Sequence, residues 1–326
     1  MALIDSFGRK INYLRLSVTD RCNLRCIYCM PTEGVHKLRH QDILSYEELM
    51  LLSETAVGLG IEKIRVTGGE PLVRKGILGF LTNLSQIPHL RQLVLTTNGM
   101  LLQEMAVDLR KAGVQRLNIS LDSLRTDTFA RITRCGDLEK VLAGIRAAEE
   151  AEFPIKLNMV VMAGINDTEI EDFAGLTLTK PYTVRFIEHM PTVTNPDWRS
   201  LVVPGEEIIR RIARAYRVQA LDREDPLAGP SRNYRIDGAA GEIGIITPVS
   251  SHFCLECNRI RVTSSGIARG CLFDNTEYDL KTILRRGDRP ALEGALRAIV
   301  DRKPARGFLT SEDSTSEPFD MSKVGG

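Results

Sequence analysis

Up to about residue 220 the chain alternates short apolar runs rich in β-branched residues with segments whose apolar residues recur at helical spacing. The strand-like runs cover residues 12–18, 63–67, 92–97, 116–121, 156–161 and 184–190. Helical spacing is clear at Leu49, Leu52 and Ala56, and Gly60 and Gly113 are typical helix stops. Six strands alternating with helices predict an α/β protein with a parallel sheet. The sheet is either an incomplete (βα)6 TIM-type barrel, which we favour, or a doubly wound sheet.

Polar or glycine-bearing loops follow these strands. The first strand is followed by C-N-L-R-C-I-Y-C, and later strands by V-T-G-G-E-P, T-T-N-G, S-L-D-S and H-M-P. Loops after the carboxyl ends of parallel strands form the active sites of such folds. These loops therefore predict one shared pocket.

The pattern changes after segment 222–233, which is rich in proline, glycine and charge. Shorter strand-like pieces follow at Tyr234–Ile236, Ile243–Ile246 and Ile260–Thr263, and then a helix near 288–302. We therefore predict a core domain over 1–225 and a C-terminal region over 226–326.

Composition narrows the class of protein. The formal net charge is +1, which argues against a nucleic-acid-binding protein. No window resembles a membrane span or a signal peptide, so we expect a cytoplasmic protein without a membrane partner. The seven cysteines are an odd number, which indicates metal binding or redox chemistry rather than disulfides.

Six of these cysteines form two triads, and Cys135 stands apart. The triads are Cys22, Cys26 and Cys29, and Cys254, Cys257 and Cys271. Buried structural thiols are one interpretation, and a zinc site that adds His252 to the second triad is another. Thiolates also hold iron–sulfur clusters, and three cysteines on a [4Fe–4S] cluster leave one iron open for a small molecule.

C-N-L-R-C-I-Y-C resembles the C-x3-C-x2-C motif of the radical S-adenosylmethionine (SAM) superfamily, and G-G-E-P after the next strand supports the resemblance. The resemblance implies a [4Fe–4S] cluster on the first triad, with SAM chelated at the open iron. An electron from the cluster would then break the sulfonium bond and give a 5′-deoxyadenosyl radical.

The chain from about Leu14 to Gly326 resembles one family in particular. C-N-R-I-R-V-T within the second triad and the terminal Gly-Gly are similar to the GTP 3′,8-cyclases of molybdenum cofactor biosynthesis. The resemblance implies a second [4Fe–4S] cluster in the C-terminal extension, whose open iron binds guanine. The implied enzyme is a radical SAM lyase that catalyses the first step of this pathway. It abstracts H3′ of the GTP ribose and joins C3′ to C8, giving (8S)-3′,8-cyclo-7,8-dihydroguanosine 5′-triphosphate.

The same resemblance assigns site residues. SAM-binding positions are Tyr28, Gly69, Ser120 and Met190. GTP-binding positions are Arg15, Lys63, Arg65, Thr96, Lys156, Arg185, Arg259, Ile260 and Arg261. Catalytic positions are Arg259, Arg261, Gly325 and Gly326.

Physical reasoning supports the arginines in this set. Arg259 and Arg261 alternate on a strand, so both side chains leave the same face, and the planar guanidinium bonds two phosphate oxygens at once. Any one basic residue could be a solvated surface charge, but a charge within a buried strand is costly unless it is paired.

Several residues keep two interpretations. Asp122 is either a helix cap or a site residue, and Asn98 with Gly99 is either turn chemistry or part of the pocket. Cys135 is interpreted as a bystander thiol. The end M-S-K-V-G-G is a frayed tail, a ubiquitin-like conjugation tail or, as the resemblance implies, a catalytic tail.

Two rival functions remain at this point: another radical SAM enzyme, such as a peptide maturase with an auxiliary cluster, and a non-enzymatic protein that binds zinc or nucleic acid. The resemblance implies GTP as substrate, an electron donor such as flavodoxin or ferredoxin, and cyclic pyranopterin monophosphate synthase as the next enzyme. A homodimer is left open.

Overall fold

The structure is a computed structural model, and it describes residues 2–34, 38–191, 197–222, 225 and 227–307. The strands within these residues are β1 (Tyr13–Ser17), β2 (Lys63–Thr67), β3 (Gln92–Thr97), β4 (Arg116–Ser120), β5 (Ile155–Val161), β6 (Thr183–Glu188), β7 (Val218–Ala220), β8 (Arg232–Ile236), β9 (Glu242–Ile246), β10 (Arg259–Val262), β11 (Ile267–Arg269) and β12 (Tyr278–Asp279). The helices are α1 (Tyr46–Gly58), α2 (Ile77–Ser85), α3 (Leu102–Lys111), α4 (Thr126–Thr133), α5 (Leu138–Glu150), α6 (Ile170–Thr179), α7 (Gly205–Ala215), α8 (Lys281–Arg286) and α9 (Arg289–Asp301).

The six predicted strands form the centre of one sheet, where β1 to β6 lie side by side in chain order and run parallel. This sequential order excludes a doubly wound sheet, in which later strands are added on the other side of the first strand. The bounds differ from the predicted ones by two residues at most, and the largest difference is that β6 ends before His189 and Met190, which belong to the following loop.

The C-terminal region extends both edges of this sheet. β9 pairs in parallel with β6, and β10 pairs in parallel with β1. Beyond them, β8 and β7 on one side and β11 and β12 on the other are antiparallel, so the sheet is mixed. The sheet is therefore continuous across the predicted boundary at 225/226, and a division into two domains there stays a prediction.

Local sequence explains where the helices begin and end. α1 starts with a capping box, in which Ser45 and Glu48 bond each other's backbone N–H groups. Gly60 and Gly113 follow α1 and α3 with φ of +104° and +85°, a conformation that favours glycine. Asp288 accepts a hydrogen bond from the N–H of Ala291 at the start of α9 (3.0 Å). The helices pack apolar faces on the sheet and form one hydrophobic core with it.

Among the described helices, none has the length and apolar character needed to cross a bilayer.

Candidate active site

A cavity extends along the parallel strands to the loops at their carboxyl ends, with an empty volume of ≈ 1350 Å³ that includes its opening to solvent. Many of the predicted site residues line it, although they come from distant parts of the chain. These are Arg15, Tyr28, Arg65, Thr96, Ser120, Arg185, Met190, Cys254, Cys257, Arg259, Arg261 and Cys271. The cavity also has His252, beside the second triad, and Asp122 in its wall.

The other predicted residues lie elsewhere. Cys22, Cys26, Cys29, Gly69, Lys63, Lys156 and Ile260 are not among the residues that line this cavity. Lys156 lines a neighbouring cavity that also contacts Arg185. The side chain of Ile260 points into the hydrophobic core, because its neighbours Arg259 and Arg261 take the opposite face of β10. Gly325 and Gly326 lie outside the described residues.

The first cysteine triad occupies a loop that the backbone holds against the end of α4. The N–H of Arg25 donates to the carbonyl of Thr133 (3.0 Å), and that of Ile27 donates to Ile132 (2.9 Å). Burial raises the pKa of Cys22 to about 11 and also raises that of Cys26. A thiol loses its proton to solvent when it binds a metal as a thiolate. At these raised pKa values, the positive charge of bound iron would have to drive that deprotonation.

The G-G-E-P loop packs directly on this cysteine loop. The N–H of Gly69 donates to the carbonyl of Thr19 (2.7 Å), and that of Glu70 donates to Arg21 (2.8 Å). A Cβ on Gly69 would lie 2.3 Å from the Arg21 carbonyl oxygen, so only glycine permits this approach. The two motifs that carry the radical SAM resemblance therefore form one unit.

Glu70 connects this unit to the T-T-N-G loop. Its buried carboxyl accepts hydrogen bonds from Leu72 N (3.0 Å), Thr97 Oγ1 (2.9 Å) and Asn98 N (2.7 Å). Burial raises its pKa to about 7. Asn98 completes the link, because its Nδ2 donates to Asn23 Oδ1 (2.7 Å) in the cysteine loop. Asn98 thus serves both the turn and the cysteine loop.

Asp122 does not cap a helix, since α4 begins four residues later with Arg125 at its N-cap. Instead its Oδ2 accepts a hydrogen bond from the hydroxyl of Tyr28 (2.8 Å), and its Oδ1 accepts one from Val160 N (2.9 Å). Burial raises the pKa of Asp122 to about 6. This carboxyl fixes the aromatic residue of the cysteine motif at the cavity wall. Cys135 is exposed, and it is not part of the wall.

The second triad has a more positive environment than the first. Burial would raise the pKa of Cys257, but the charges of Arg259 and Lys303 together with hydrogen bonds from Arg259 outweigh it and lower that pKa to about 6. The Nη2 of Arg259 lies 3.7 Å from the sulfur of Cys257, and the N–H of Gly307 donates to the sulfur of Cys254 (3.3 Å). Burial and, to a smaller extent, the neighbouring Cys257 and Cys254 raise the pKa of Cys271, so the three partly exposed thiols lie near one another, as the ligands of one iron–sulfur cluster must. Within the described residues no three such side chains are arranged to hold a single metal ion.

Positive side chains are stacked across the strands next to this triad. In the sheet register Arg15 is directly beside Arg261 on one neighbouring strand and Arg65 on the other. Neighbouring strands are only about 4.8 Å apart, so these cations repel each other. Burial and the neighbouring charges of Arg261 and Arg65 lower the pKa of Arg15 well below its usual value. This concentration of positive charge favours an anionic ligand in the cavity.

A second layer of cations lies nearer the start of the strands. Burial and neighbouring arginines lower the pKa of Lys63 and of Lys156 to about 7. Lys63 Nζ sits 4.8 Å from the ring centre of Tyr13 and donates to the carbonyl of Leu227 (2.8 Å). Arg185 donates to Asn118 Oδ1, and burial lowers its pKa to about 9.

Several buried polar atoms in the cavity wall have no hydrogen-bond partner among the described residues. They are Arg65 Nε, Thr96 Oγ1, Asn158 Oδ1 and Arg185 Nε. Buried polar groups are normally satisfied, so this set indicates a polar ligand. Asn158 was missed in the sequence, although the alternation of β5 puts it on the same face as Lys156 and would have revealed it.

An α/β fold whose six central strands are parallel, and in which a C-x3-C-x2-C loop packs on G-G-E-P, defines a protein of the radical SAM class. The family model described as Radical SAM superfamily matches residues 16–177, and the model described as Molybdenum Cofactor Synthesis C matches residues 182–309. The GTP 3′,8-cyclase of Geobacter sulfurreducens is 60% identical over 100% of both chains, and that of Peptoclostridium acidaminophilum is 46% identical over 99% of this chain and 98% of its own. The chain belongs to the GTP 3′,8-cyclase family.

Solved structures confirm the fold. Streptococcus suis SuiB has a TM-score of 0.59 with 14% sequence identity, covering 90% of this chain and 69% of its own. The same protein bound to S-adenosylmethionine has a TM-score of 0.57 with the same identity and coverage. The family match confirms that the chain is a radical SAM enzyme, and the prediction of a non-enzymatic protein is wrong. The assignment of the individual cysteines stays a prediction.

Proposed function

We propose that this protein converts GTP to (8S)-3′,8-cyclo-7,8-dihydroguanosine 5′-triphosphate, the first step of molybdenum cofactor biosynthesis. The observation that carries the proposal is the row of Arg261, Arg15 and Arg65 on three adjacent strands, beside a cysteine triad in the same cavity. The row of guanidinium groups suits the negative charges of a triphosphate. The adjoining thiols of the second triad suit an iron–sulfur cluster that binds the base. Relatives that share the whole length of the chain carry the same activity in their names.

The residues around the first triad fit a [4Fe–4S] cluster and SAM. Cys22, Cys26 and Cys29 would hold the cluster and would leave one iron without a protein ligand. Gly69 brings a backbone loop against the cysteine loop, where the methionyl group would bind. When bound, this cluster and SAM together supply a 5′-deoxyadenosyl radical. Tyr28, Ser120 and Met190 line the cavity and would position the adenosyl group so that its 5′ carbon faces the substrate.

The second triad would hold a second [4Fe–4S] cluster, with guanine at its open iron. Arg259 and Arg261 leave β10 on the cavity side and would bind the triphosphate with Arg15, Arg65 and Arg185. Lys63 and Lys156 would support the phosphate end from the deeper layer of charge. Ile260 would contribute through its backbone alone, because its side chain is in the core. Fixing both the base and the phosphates sets the distance between C3′ and C8 of one GTP molecule.

The remaining features complete the proposal. The cavity is lined from strands across β1 to β6, as well as from β9 and β10, which supports a sheet curved as an incomplete TIM-type barrel. Gly325 and Gly326 would reach the cavity as a catalytic tail. Flavodoxin or ferredoxin as electron donor, cyclic pyranopterin monophosphate synthase as the next enzyme, a homodimer and a cytoplasmic location stay predictions.

Deuterium at C3′ of GTP tests the reaction. Anaerobically reconstituted protein is incubated with SAM, dithionite and labelled GTP, and 5′-deoxyadenosine is analysed by mass spectrometry. The proposal predicts one deuterium in 5′-deoxyadenosine together with a cyclised product. Unlabelled 5′-deoxyadenosine formed at the rate of product would contradict the abstraction step.

A further inference from the structure

The chain that follows α9 crosses the second cysteine loop and contacts it repeatedly. Lys303 Nζ donates to the carbonyl of Arg259 (3.0 Å) and to that of Gly270. The N–H of Gly307 donates to the sulfur of Cys254 (3.3 Å). Arg259 comes two residues after Cys257, and Gly270 comes directly before Cys271. Residues 303–307 therefore contact the chain at, or within two residues of, each of the three cysteines.

A buried arginine from the start of the protein holds this crossing together. Arg9 Nη1 donates to the carbonyls of Cys254 (2.7 Å) and Ala305 (3.2 Å), and Arg9 Nη2 donates to the carbonyl of Pro304 (2.7 Å). Its Nε pairs with Asp5 Oδ2 at 2.5 Å. Arg9 and Asp5 are only 8% and 5% exposed. One guanidinium thus donates hydrogen bonds to three carbonyls, one in the Cys254 loop and two in the segment after α9.

The ion pair with Asp5 does not by itself explain why an arginine occupies position 9. A buried ion pair by itself contributes little net stability, because desolvation offsets much of the Coulomb attraction. Arginine differs from lysine in presenting several donors in a rigid fork, and this site uses that fork. Arg9 is not among the residues that line the active-site cavity, so any effect on substrate has to pass through the Cys254 loop.

We propose that Arg9, oriented by Asp5, is a positioning residue for the second cysteine triad. It locks the Cys254 carbonyl to residues 304 and 305, which places the Gly307 N–H on the Cys254 sulfur and the Lys303 ammonium beside the other two ligand positions. Hydrogen bonds to ligand sulfurs and nearby positive charge stabilise a cluster and raise its reduction potential. The inference rests on the proposed function, because it assumes that the second triad holds a cluster that binds GTP.

The test compares Arg9→Lys with the matched control Lys10→Gln. Arg9→Lys keeps the charge but cannot bond Asp5 and three carbonyls together, whereas Lys10 is the next residue, is exposed and pairs with Glu62 on the surface. Asp5→Asn serves as a milder second variant, because it removes the negative charge that pairs with Arg9 but keeps the Arg9 guanidinium and its bonds to the carbonyls. Each protein is reconstituted anaerobically as the full chain. Iron release to a chelator is followed while electron paramagnetic resonance records the changes caused by GTP and by SAM.

In Arg9→Lys we expect the cluster whose spectrum changes with GTP to release its iron about tenfold faster than in wild type. This is the usual effect of removing a residue that supports metal ligands. The GTP-induced spectral change should shrink, while the SAM-induced change and the behaviour of Lys10→Gln stay like wild type. Asp5→Asn should show the same pattern to a smaller extent.

Two results in the variants would overturn the inference. One is wild-type iron release with an unchanged GTP response in Arg9→Lys and Asp5→Asn. The other is equal loss of both clusters with a lowered unfolding temperature, which would make the role merely structural. If the wild-type protein itself lacks a GTP-responsive cluster, the proposed function is removed and this inference with it.

Discussion

The row of cations formed by Arg261, Arg15 and Arg65 predicts that one substitution has opposite effects on stability and on binding. Arg65→Met removes one charge but keeps an unbranched chain of similar size against Tyr13, whose ring centre lies 5.4 Å from the guanidinium carbon. Without ligand, the loss of repulsion should stabilise the fold. With ligand, the loss of a phosphate donor should weaken GTP binding.

The magnitude is worked from the general spacing of neighbouring strands, about 5 Å. Two unit charges at that separation repel by about 3 kcal/mol at an effective dielectric constant of about 20. Losing the cation–π contact with Tyr13 costs about 1 kcal/mol, so the ligand-free variant should be more stable than wild type by about 2 kcal/mol. A charge-assisted hydrogen bond contributes about 1.5–3 kcal/mol, so the Kd for GTP should rise about 10- to 150-fold.

Thermal unfolding without ligand and isothermal titration with GTP measure the two effects on the same preparation. Arg91→Met is the control, because Arg91 is exposed, paired with Glu62 and not part of the cavity wall. It should change neither GTP binding nor, beyond a few tenths of a kcal/mol, stability. An Arg65→Met protein that is less stable than wild type without ligand would refute the argument, and so would one that binds GTP normally.

Three further predictions concern the SAM loop and the deeper cations. Gly69→Ala should weaken SAM binding at least about tenfold and leave GTP binding unchanged, since its Cβ would clash with the Arg21 carbonyl; Gly79→Ala, where nothing lies within 4 Å, is the matched control, and equal SAM affinity in both variants would sink the idea. Glu70 has a pKa raised by burial from 4.5 to about 7, so the folded state binds more protons than the unfolded state between these values and stability falls as pH rises through them. Glu70→Gln should remove that part of the slope in denaturant titrations; an identical slope would show that Glu70 does not titrate as described. Because Lys63 and Lys156 have a pKa of about 7 without ligand, GTP binding at pH 8 should take up protons, which calorimetry in buffers of different ionisation enthalpy measures. Lys156→Met should reduce that uptake, and proton release on binding would contradict the electrostatic account.

The central sheet could be predicted because strands buried on both faces read as short apolar runs, which makes β1 to β6 visible without any partner. The edges could not be predicted in the same way. The pairing of β10 with β1 joins residues about 246 positions apart, and no local periodicity contains that information. The clamp of Arg9 on Cys254 is hidden for the same reason.

The candidate site divides along the same line. The cysteine loop and G-G-E-P could be found because each has a fixed spacing within a few residues. At Gly69 the close approach to the Arg21 carbonyl also explains why the residue is glycine. Asp122 stayed ambiguous because its partner, the Tyr28 hydroxyl, is 94 residues away. Ile260 shows the limit of assigning residues from a motif, since membership of the motif does not say which face of the strand a side chain takes.

The account depends most on two cysteine triads that serve different ligands in one active site. The measurement that tests it directly is electron paramagnetic resonance of the anaerobically reconstituted and reduced protein, with SAM and GTP added separately, using Cys22→Ser and Cys271→Ser to assign each signal. The account predicts that SAM perturbs only the signal that Cys22→Ser removes, and that GTP perturbs only the signal that Cys271→Ser removes. A protein in which both ligands perturb the same cluster, or GTP perturbs neither, would contradict it.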